Sequence, residues 1–274
     1  MATVSEPAPI VTGPEQAPAP EHATGESVDF HVFRGTPDTP QGDKEYKVPM
    51  VPGMVVLDAM HYIQKHVDTD LAVRWNCKAA KCGSCSAEVN GRPVLMCKTR
   101  VDEMPDGPIT VRPMKAFPLV KDLVVDVSGN FKVNEKITPF TPSEADASDP
   151  KPWRIKEPDI ERLYEFRKCI ECFLCQDVCH VLRTHDLQER FYGPRFFVRV
   201  AGLEMHPKDA ADRRDLVRED GGLGLCNITK CCTEVCPEHI HITDNAIIPM
   251  KERVVDRHWD PIAWVGRIFG GGKK

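Results

Sequence analysis

The sequence predicts an α+β first half and a helical second half, divided near residue 140. An alternating apolar run in the first half indicates a strand, and helical and loop composition dominates the second half. Between them lies a stretch rich in Pro, Ser and Asp over residues 133–159, which is typical of a linker. We therefore expect a disordered tail over residues 1–26, one domain over residues 27–140 and another over residues 141–274.

The first domain is predicted to be a small mixed sheet with one helix. A strand is expected at VDFHVFRG, and ITVRP is expected to close the sheet. The segment VVLDAMHYIQKHV is predicted to be a helix with four apolar residues on one face: Val56, Met60, Ile63 and Val67. Asn90 and Gly91 join two short apolar runs, and both residues tolerate the positive φ of a tight turn, so we expect a β-hairpin.

The second domain is predicted to consist of helices and cysteine-bearing loops. Helical composition extends over DIERLYEFRKC and PKDAADRRDLVRED, and a cysteine group follows each segment. We therefore expect the helices to support these loops.

Composition excludes several classes of function. The net charge is −5 and charges of both signs are spread along the chain, so no nucleic-acid partner is expected. No apolar run approaches the roughly 18 residues of a membrane-spanning helix. The Pro-rich N-terminus has no apolar signal core, which makes the reducing cytosol the expected compartment. Twelve cysteines in that compartment predict metal binding rather than disulfides.

The first cysteine group has the plant-type ferredoxin spacing C-x4-C-x2-C with one distant cysteine. Its members are Cys77, Cys82, Cys85 and Cys97. Each iron of a [2Fe–2S] centre needs two thiolates, and this group supplies four in total. Gly83 is expected to let the backbone approach the centre closely. A zinc site is the alternative, although zinc sites usually pair two short C-x2-4-C segments and this group has only one.

The two later groups share one template, the bacterial ferredoxin run. The four positions of this template are occupied in the first of these groups by Cys169, Cys172, Cys175 and Cys179. In the second they are occupied by Cys226, Thr229, Cys232 and Cys236. In this run the fourth cysteine binds the other cluster. The spacing thus predicts a [4Fe–4S] centre on Cys169, Cys172, Cys175 and Cys236. It predicts a [3Fe–4S] centre on Cys179, Cys226 and Cys232.

The third centre is predicted to lack one iron because Thr229 occupies the fourth ligand position, and a hydroxyl is a poor ligand for this iron. Cys231 adjoins Cys232 and is interpreted as a small buried thiol. The alternative is that Cys231 fills the fourth position and makes a second [4Fe–4S] centre. Three centres of different types predict a conduit for single electrons.

These residues strongly resemble the iron–sulfur subunit of succinate dehydrogenase and fumarate reductase, the family of respiratory complex II. The resemblance is carried by residues 54–101, FPLVKDLVVDVSGNF, CIECFLCQDVC and CCTEVCPEHI. It implies an N-terminal β-grasp [2Fe–2S] ferredoxin domain and a C-terminal all-α domain like a bacterial ferredoxin. It also implies electron transfer from the FAD of a flavoprotein subunit, through the three clusters, to a quinone beside a membrane anchor with haem b. No dicarboxylate site is then expected on this chain, which would lie peripherally on the cytoplasmic face of the inner membrane.

The sequence departs from the ubiquinone-reducing members of the family beside the third centre. Those members usually have Pro after the cysteine matched by Cys179 and His after the one matched by Cys226. Here His180 and Asn227 follow these cysteines. The chain is therefore more similar to members that use menaquinone, and His180, Asn227 and Thr229 are candidate residues near the third centre and the quinone.

Four functions follow from these interpretations. The leading one is the electron-transfer subunit of a succinate:quinone oxidoreductase, and the second is the equivalent subunit of a quinol:fumarate reductase. A subunit of an enzyme like heterodisulfide reductase is a third, which the ferredoxin-type N-terminal domain argues against. A structural zinc protein is the fourth, and it would be colourless where an iron–sulfur protein is brown. The C-terminal segment around Trp264 and Phe269 is either an amphipathic contact with the anchor or lipid surface, or packs on its own domain.

Overall fold

The computed structural model describes residues 22–148, 151, 153–185, 187–259 and 261. The strands are β1 (Ser27–Gly35), β2 (Pro40–Pro49), β3 (Ser86–Val89), β4 (Arg92–Leu95), β5 (Ile109–Arg112), β6 (Leu119–Lys121) and β7 (Val124–Val125). The helices are α1 (Val56–His66), α2 (Ser128–Asn134), α3 (Glu144–Ser148), α4 (Glu157–Arg167), α5 (Leu174–Asp177), α6 (His180–Arg183), α7 (Gly193–Glu204), α8 (Arg214–Arg218), α9 (Cys231–Glu234) and α10 (Ile248–Trp259). A 3-10 turn covers Leu223–Leu225, and a π-helix over Ile242–Ile247 runs directly into α10.

The first half is a five-stranded mixed sheet of order β2-β1-β5-β3-β4. Strand β1 pairs antiparallel with β2 and parallel with β5, while β5 pairs antiparallel with β3. Asn90 and Gly91 join β3 to β4 with φ angles of 48° and 74°, so the predicted hairpin is present. The β-grasp order, followed by a helical second half, confirms the predicted fold class.

Helix α1 adds an apolar face to the core of the first half. Val56, Met60 and Ile63 are fully buried, as the sequence predicts. Val67 comes one residue after the helix ends and is only partly buried. The prediction therefore holds for three of the four residues, and the helix stops before it can present the fourth.

The buried Arg34 links the end of β1 to the loop after α1 through hydrogen bonds. Arg34 is 7% exposed and donates to Tyr46 Oη at 3.0 Å and to the Asp68 carboxylate. Asp68 Oδ2 also accepts from Lys44 Nζ at 2.9 Å and from Tyr46 Oη at 2.8 Å. Burial opposes ionisation of Asp68, but the bonds from Lys44 and Tyr46 and the charge of Arg34 outweigh it, so the pKa of Asp68 falls to about 2.

We expect Asp68→Asn to lower the unfolding free energy at pH 7 by about 2 kcal/mol, since the folded carboxylate titrates well below its ordinary pKa. Because the folded pKa is depressed, this contribution is present above about pH 4 and is lost as the pH falls towards 2. Urea unfolding of the full chain, followed by circular dichroism, measures the difference.

Asp102→Asn is the matched control for that variant. The Asp102 side chain is 36% exposed and pairs with Arg100 on the surface, outside the Arg34 network, so we expect a much smaller change. Equal urea midpoints for the two variants would show that the buried arginine network adds no stability.

The second half packs its helices around α7. Eight of the twelve residues of α7 are buried, from Gly193 to Ala201, and the π-helix and α4 lie against it. The helix predicted at DIERLYEFRKC is confirmed as α4. The helix predicted over residues 207–220 is wrong for most of its length, because only Arg214–Arg218 is helical.

The missing part of that helix pairs with the linker instead. The Ala210 N–H donates to Thr141 O at 2.7 Å, and Asp209 bridges to Pro142. The fully buried Arg213 donates to the carbonyls of Thr138 and Pro139 at 2.7 and 2.8 Å. These tertiary hydrogen bonds outweigh the local helical propensity.

The division near residue 140 stays a prediction. The linker segment before residue 140 already contacts the second half, through Arg213 and through a hydrogen bond from Arg195 to Asn134.

At the start of the first domain, Glu26 O accepts from the N–H of Met50 at 2.9 Å, so strand-like pairing begins just before β1. Residues 1–21, predicted to belong to a disordered tail, lie outside the described residues, as does the C-terminal segment after residue 261.

Among the described residues, no helix is long and apolar enough to cross a membrane.

Candidate iron–sulfur centres

The first cysteine group is held by a loop before β3 that directs backbone N–H groups at sulfur atoms. The N–H groups of Ala79 and Lys81 each lie 3.3 Å from Cys77 Sγ. The N–H of Ala80 lies 3.3 Å from Cys97 Sγ, which the β3–β4 hairpin brings back to the loop. Positive φ angles at Lys78, Ala80 and Gly83 turn the loop in this way. Alternating conformations of this kind form concave sites for anions, which suits thiolate sulfurs.

Two thiols of this group have opposite pKa shifts. Burial disfavours the Cys82 thiolate, but hydrogen bonds from Cys77 and Ser84 outweigh burial and lower the pKa of Cys82 to about 6. Burial raises the pKa of the Cys85 thiol to about 12, and the nearby Cys97 and Cys82 add to the rise. The thiolate is the form that binds iron, so Cys82 is already suited to it at neutral pH.

The second group encloses a small cavity in the helical half. Its lining includes the four predicted ligands: Cys169, Cys172, Cys175 and Cys236. Burial raises the pKa of Cys175 well above its ordinary value, and the surrounding thiols add to the rise. The Ile240 N–H lies 3.4 Å from Cys236 Sγ. An enclosed space with four convergent sulfurs fits a [4Fe–4S] cluster in donor type and number.

Arg195 places a positive charge at the second group. Its side chain is 2% exposed, lines the same cavity and pairs with Glu171. A four-thiolate iron–sulfur cluster carries net negative charge, so the Arg195 guanidinium would favour its reduced form, and the paired Glu171 carboxylate would offset part of that effect.

The third group follows the same backbone design as the second. Glu171 and Phe173, on either side of Cys172, have φ angles of 55° and 62°. Ile228 and Lys230, on either side of Thr229, both have φ of 62°. Phe173 and Lys230 then cap the short helices α5 and α9 in the same left-handed conformation. Thr229 therefore occupies the backbone position that Cys172 occupies in the second group.

By the same correspondence, Cys231 is equivalent in position to Leu174, the first residue of α5. Leu174 is 1% exposed and belongs to the apolar core rather than to the thiol group. Cys231 is half-buried and not buried as the sequence predicts, and its Sγ lies 3.3 Å from the Thr229 hydroxyl. Cys232, which is equivalent in position to Cys175, is buried, and its Sγ lies 3.4 Å from Thr243 Oγ1. This arrangement supports Cys232 as the ligand, and that assignment stays a prediction.

The last cysteine of each later group lies beside the thiols of the other group, as the template requires. Cys236 lies with Cys169, Cys172 and Cys175, and its charge contributes to the raised pKa of Cys169 and Cys172 after the larger effect of burial. For Cys179, burial raises the pKa to about 11, and Cys231 and Cys226 add to the rise. Among the described residues, no three His, Cys, Asp or Glu side chains are grouped as a site for a single metal ion.

The three residues predicted near the third centre and the quinone are all at least partly exposed. Asn227 and Thr229 are exposed in the loop after Cys226. His180 is the first residue of α6 and is partly buried, with its ring centre 6.3 Å from that of His185. Their surface position suits contact with another molecule, and their roles stay a prediction.

The residues that join the two halves beside the first two cysteine groups were not predicted from the sequence. Glu88 and Asp177 are both buried, and Arg183 pairs with Glu88 at 2.9 Å. Asp177 accepts from the Ala116 N–H at 3.0 Å. Burial, and then the charge of Glu88, raises the pKa of Asp177 to about 7 despite that hydrogen bond and Arg183. These positions are distant in sequence and come together only where the two halves pack against each other.

Two family profiles match the chain. One, described as a 2Fe-2S iron-sulfur cluster binding domain, covers residues 29–132. The other, described as a 4Fe-4S dicluster domain, covers residues 165–240. Together they include all three cysteine groups.

Curated relatives carry two related names. The chain is 32% identical to the fumarate reductase iron-sulfur subunit of Mycobacterium tuberculosis, over 71% of this chain and 79% of that protein. It is 30% identical to the succinate dehydrogenase iron-sulfur subunit of Bacillus subtilis, over 76% of this chain and 85% of that protein.

A solved structure is also similar in both sequence and fold. It is a chain of the Mycobacterium smegmatis Sdh1 complex in the apo form, 53% identical, with a TM-score of 0.82. The match covers 86% of this chain and 98% of that chain.

Proposed function

This chain belongs to the iron–sulfur subunits of succinate dehydrogenase and fumarate reductase, and we propose that it serves a succinate:quinone oxidoreductase. It is the electron-transfer subunit of that oxidoreductase complex. Single electrons pass from the FAD of a flavoprotein partner, through a [2Fe–2S], a [4Fe–4S] and a [3Fe–4S] centre, to a membrane quinone. The observation that carries this proposal is the presence in one folded chain of three cysteine groups, one with plant-type and two with bacterial-type ferredoxin spacing.

The protein residues hold and tune these centres. Iron–sulfur clusters supply one-electron carriers whose potentials span roughly −700 to +450 mV, according to cluster type, hydrogen bonds to sulfur and solvent exposure. The loop before β3 donates N–H groups to the sulfurs of Cys77 and Cys97. Around the second group, burial excludes water and Arg195 compensates negative charge. The loop of the third group is exposed at Thr229, which leaves that end open to a partner.

The partners are a FAD-containing flavoprotein subunit and a membrane anchor that carries haem b. The chain lies peripherally on the cytoplasmic face of the inner membrane, held by that anchor. Menaquinone is the proposed acceptor, because His180 and Asn227 stand where ubiquinone-reducing members usually have Pro and His.

Purification of the tagged chain from detergent-solubilised membranes tests this proposal. We expect a brown complex that contains a flavoprotein and a haem b membrane subunit and reduces a menaquinone analogue with succinate. A colourless, zinc-loaded chain that is recovered alone would contradict it.

A quinol:fumarate reductase is the second candidate, because the M. tuberculosis relative bears that name. The chemistry of this chain is the same in either direction, since only single electrons cross it. Turnover of the purified complex with succinate and quinone, compared with quinol and fumarate, distinguishes the two functions. The leading proposal requires the faster rate with succinate.

A further inference from the structure

Gly83 brings the first cysteine group into contact with the second. It lies between the ligands Cys82 and Cys85, and its Cα faces the backbone of Cys172, a ligand of the second group. A Cβ added at Gly83 would lie 2.6 Å from Cys172 Cα and 2.9 Å from both its N and its Cβ. The φ of Gly83 is also +67°, a conformation that L side chains rarely adopt. Only glycine allows this approach of the two backbones.

Ser86 holds the same two loops together. Its hydroxyl lies 2.8 Å from Cys172 O and 2.9 Å from Gly83 O, and the residue is 7% exposed. A hydroxyl has one proton to donate, so both carbonyls share it. Truncation of Ser86 would leave two buried carbonyl groups without this donor, which weakens the contact.

We infer that the Gly83–Cys172 contact, held by Ser86, is the route by which an electron passes from the first centre to the second. This inference rests on the proposed function. One electron leaves the reduced first centre and arrives at the oxidised second centre, with no bond or proton exchanged. Tunnelling is more efficient through covalent bonds and close contacts than through open gaps. The route from Cys82 to Cys172 has covalent bonds throughout except for one van der Waals contact at Gly83.

Other contacts between the halves provide a less direct route. Lys81 Nζ reaches Glu238 at 3.1 Å, but this pair runs through two long side chains and Lys81 is 71% exposed. The Arg183–Glu88 pair and the Asp177–Ala116 hydrogen bond involve no cysteine. They hold the halves together, whereas Gly83 and Ser86 are positioning residues for electron transfer.

Gly83→Ala in the full membrane complex tests the inference, with Gly91→Ala as the matched control. Gly91 has a similar φ of +74°, but nothing lies within 4 Å of its added Cβ. Both variants therefore place a side chain at a similar positive φ, and only Gly83→Ala separates the two loops. After flash photoreduction of the first centre, rapid-freeze EPR follows the decay of its signal and the rise of the second. We expect a several-fold slower transfer in Gly83→Ala and a wild-type rate in Gly91→Ala.

Ser86→Ala keeps the inference testable if Gly83→Ala does not assemble. We expect Ser86→Ala to slow transfer several-fold while the midpoint potentials of both centres stay unchanged, and Ser86→Thr to restore the rate. Wild-type transfer rates in Ser86→Ala, with both EPR signals present, would overturn the inference. Absence of both EPR signals from the wild-type complex would instead overturn the proposed function.

Discussion

Thr229→Cys should convert the third centre from three irons to four and lower its potential. The residue would supply a fourth thiolate at the backbone position that Cys172 occupies in the second group, where flanking residues have matching positive φ angles. Cluster type is one of the factors that spread potentials over roughly −700 to +450 mV, so a fall on the order of hundreds of millivolts is expected. Electron transfer to quinone should then become strongly unfavourable.

EPR of the oxidised complex measures this conversion. A [3Fe–4S] centre gives a signal when oxidised, and that signal should disappear in Thr229→Cys while the iron content rises. Cys231→Ser is the control, because Cys231 aligns with the core residue Leu174 and should leave all signals intact. If Thr229→Cys keeps the three-iron signal, or if Cys231→Ser loses it, then the assignment of Cys232 as the ligand is wrong.

Cys236→Ser should remove the second centre and spare the third, although Cys236 follows the third group in sequence. The structure places Cys236 in the cavity with Cys169, Cys172 and Cys175. Loss of one of four thiolates from a buried site prevents stable assembly of a four-iron cluster. Because the second centre links the other two, succinate-dependent quinone reduction should fall to near zero.

Cys179→Ser is the reciprocal variant. It should remove the three-iron signal and spare the [4Fe–4S] centre, because the Cys179 thiol lies among those of the third group. EPR of reduced and oxidised samples distinguishes the two outcomes in each variant. The opposite pattern, with each cysteine serving the group nearest in sequence, would contradict the crossed assignment.

Cysteine spacing predicts the grouping of ligands because each loop supplies several thiols over a short stretch. The equivalence of Thr229 and Cys172 was visible in the sequence as a weak repeat, and the structure adds matching φ angles on both sides. The β-grasp order and the hairpin at Asn90 follow from similar local signals, together with the family resemblance.

Features that depend on docking of the two halves could not be predicted in this way. The sequence predicts that Gly83 approaches the centre of its own loop, and the structure shows that it also contacts Cys172 of the other half. Likewise, residues 207–213 have helical composition, but hydrogen bonds to the linker replace the helix. Positions so far apart in sequence leave no short-range signal of their contact.

Analysis of iron and acid-labile sulfide in the anaerobically purified protein tests the central claim most directly. Three centres of the proposed types require about nine irons and about ten sulfides per chain. Far fewer irons, with acid-labile sulfide absent, would contradict the account.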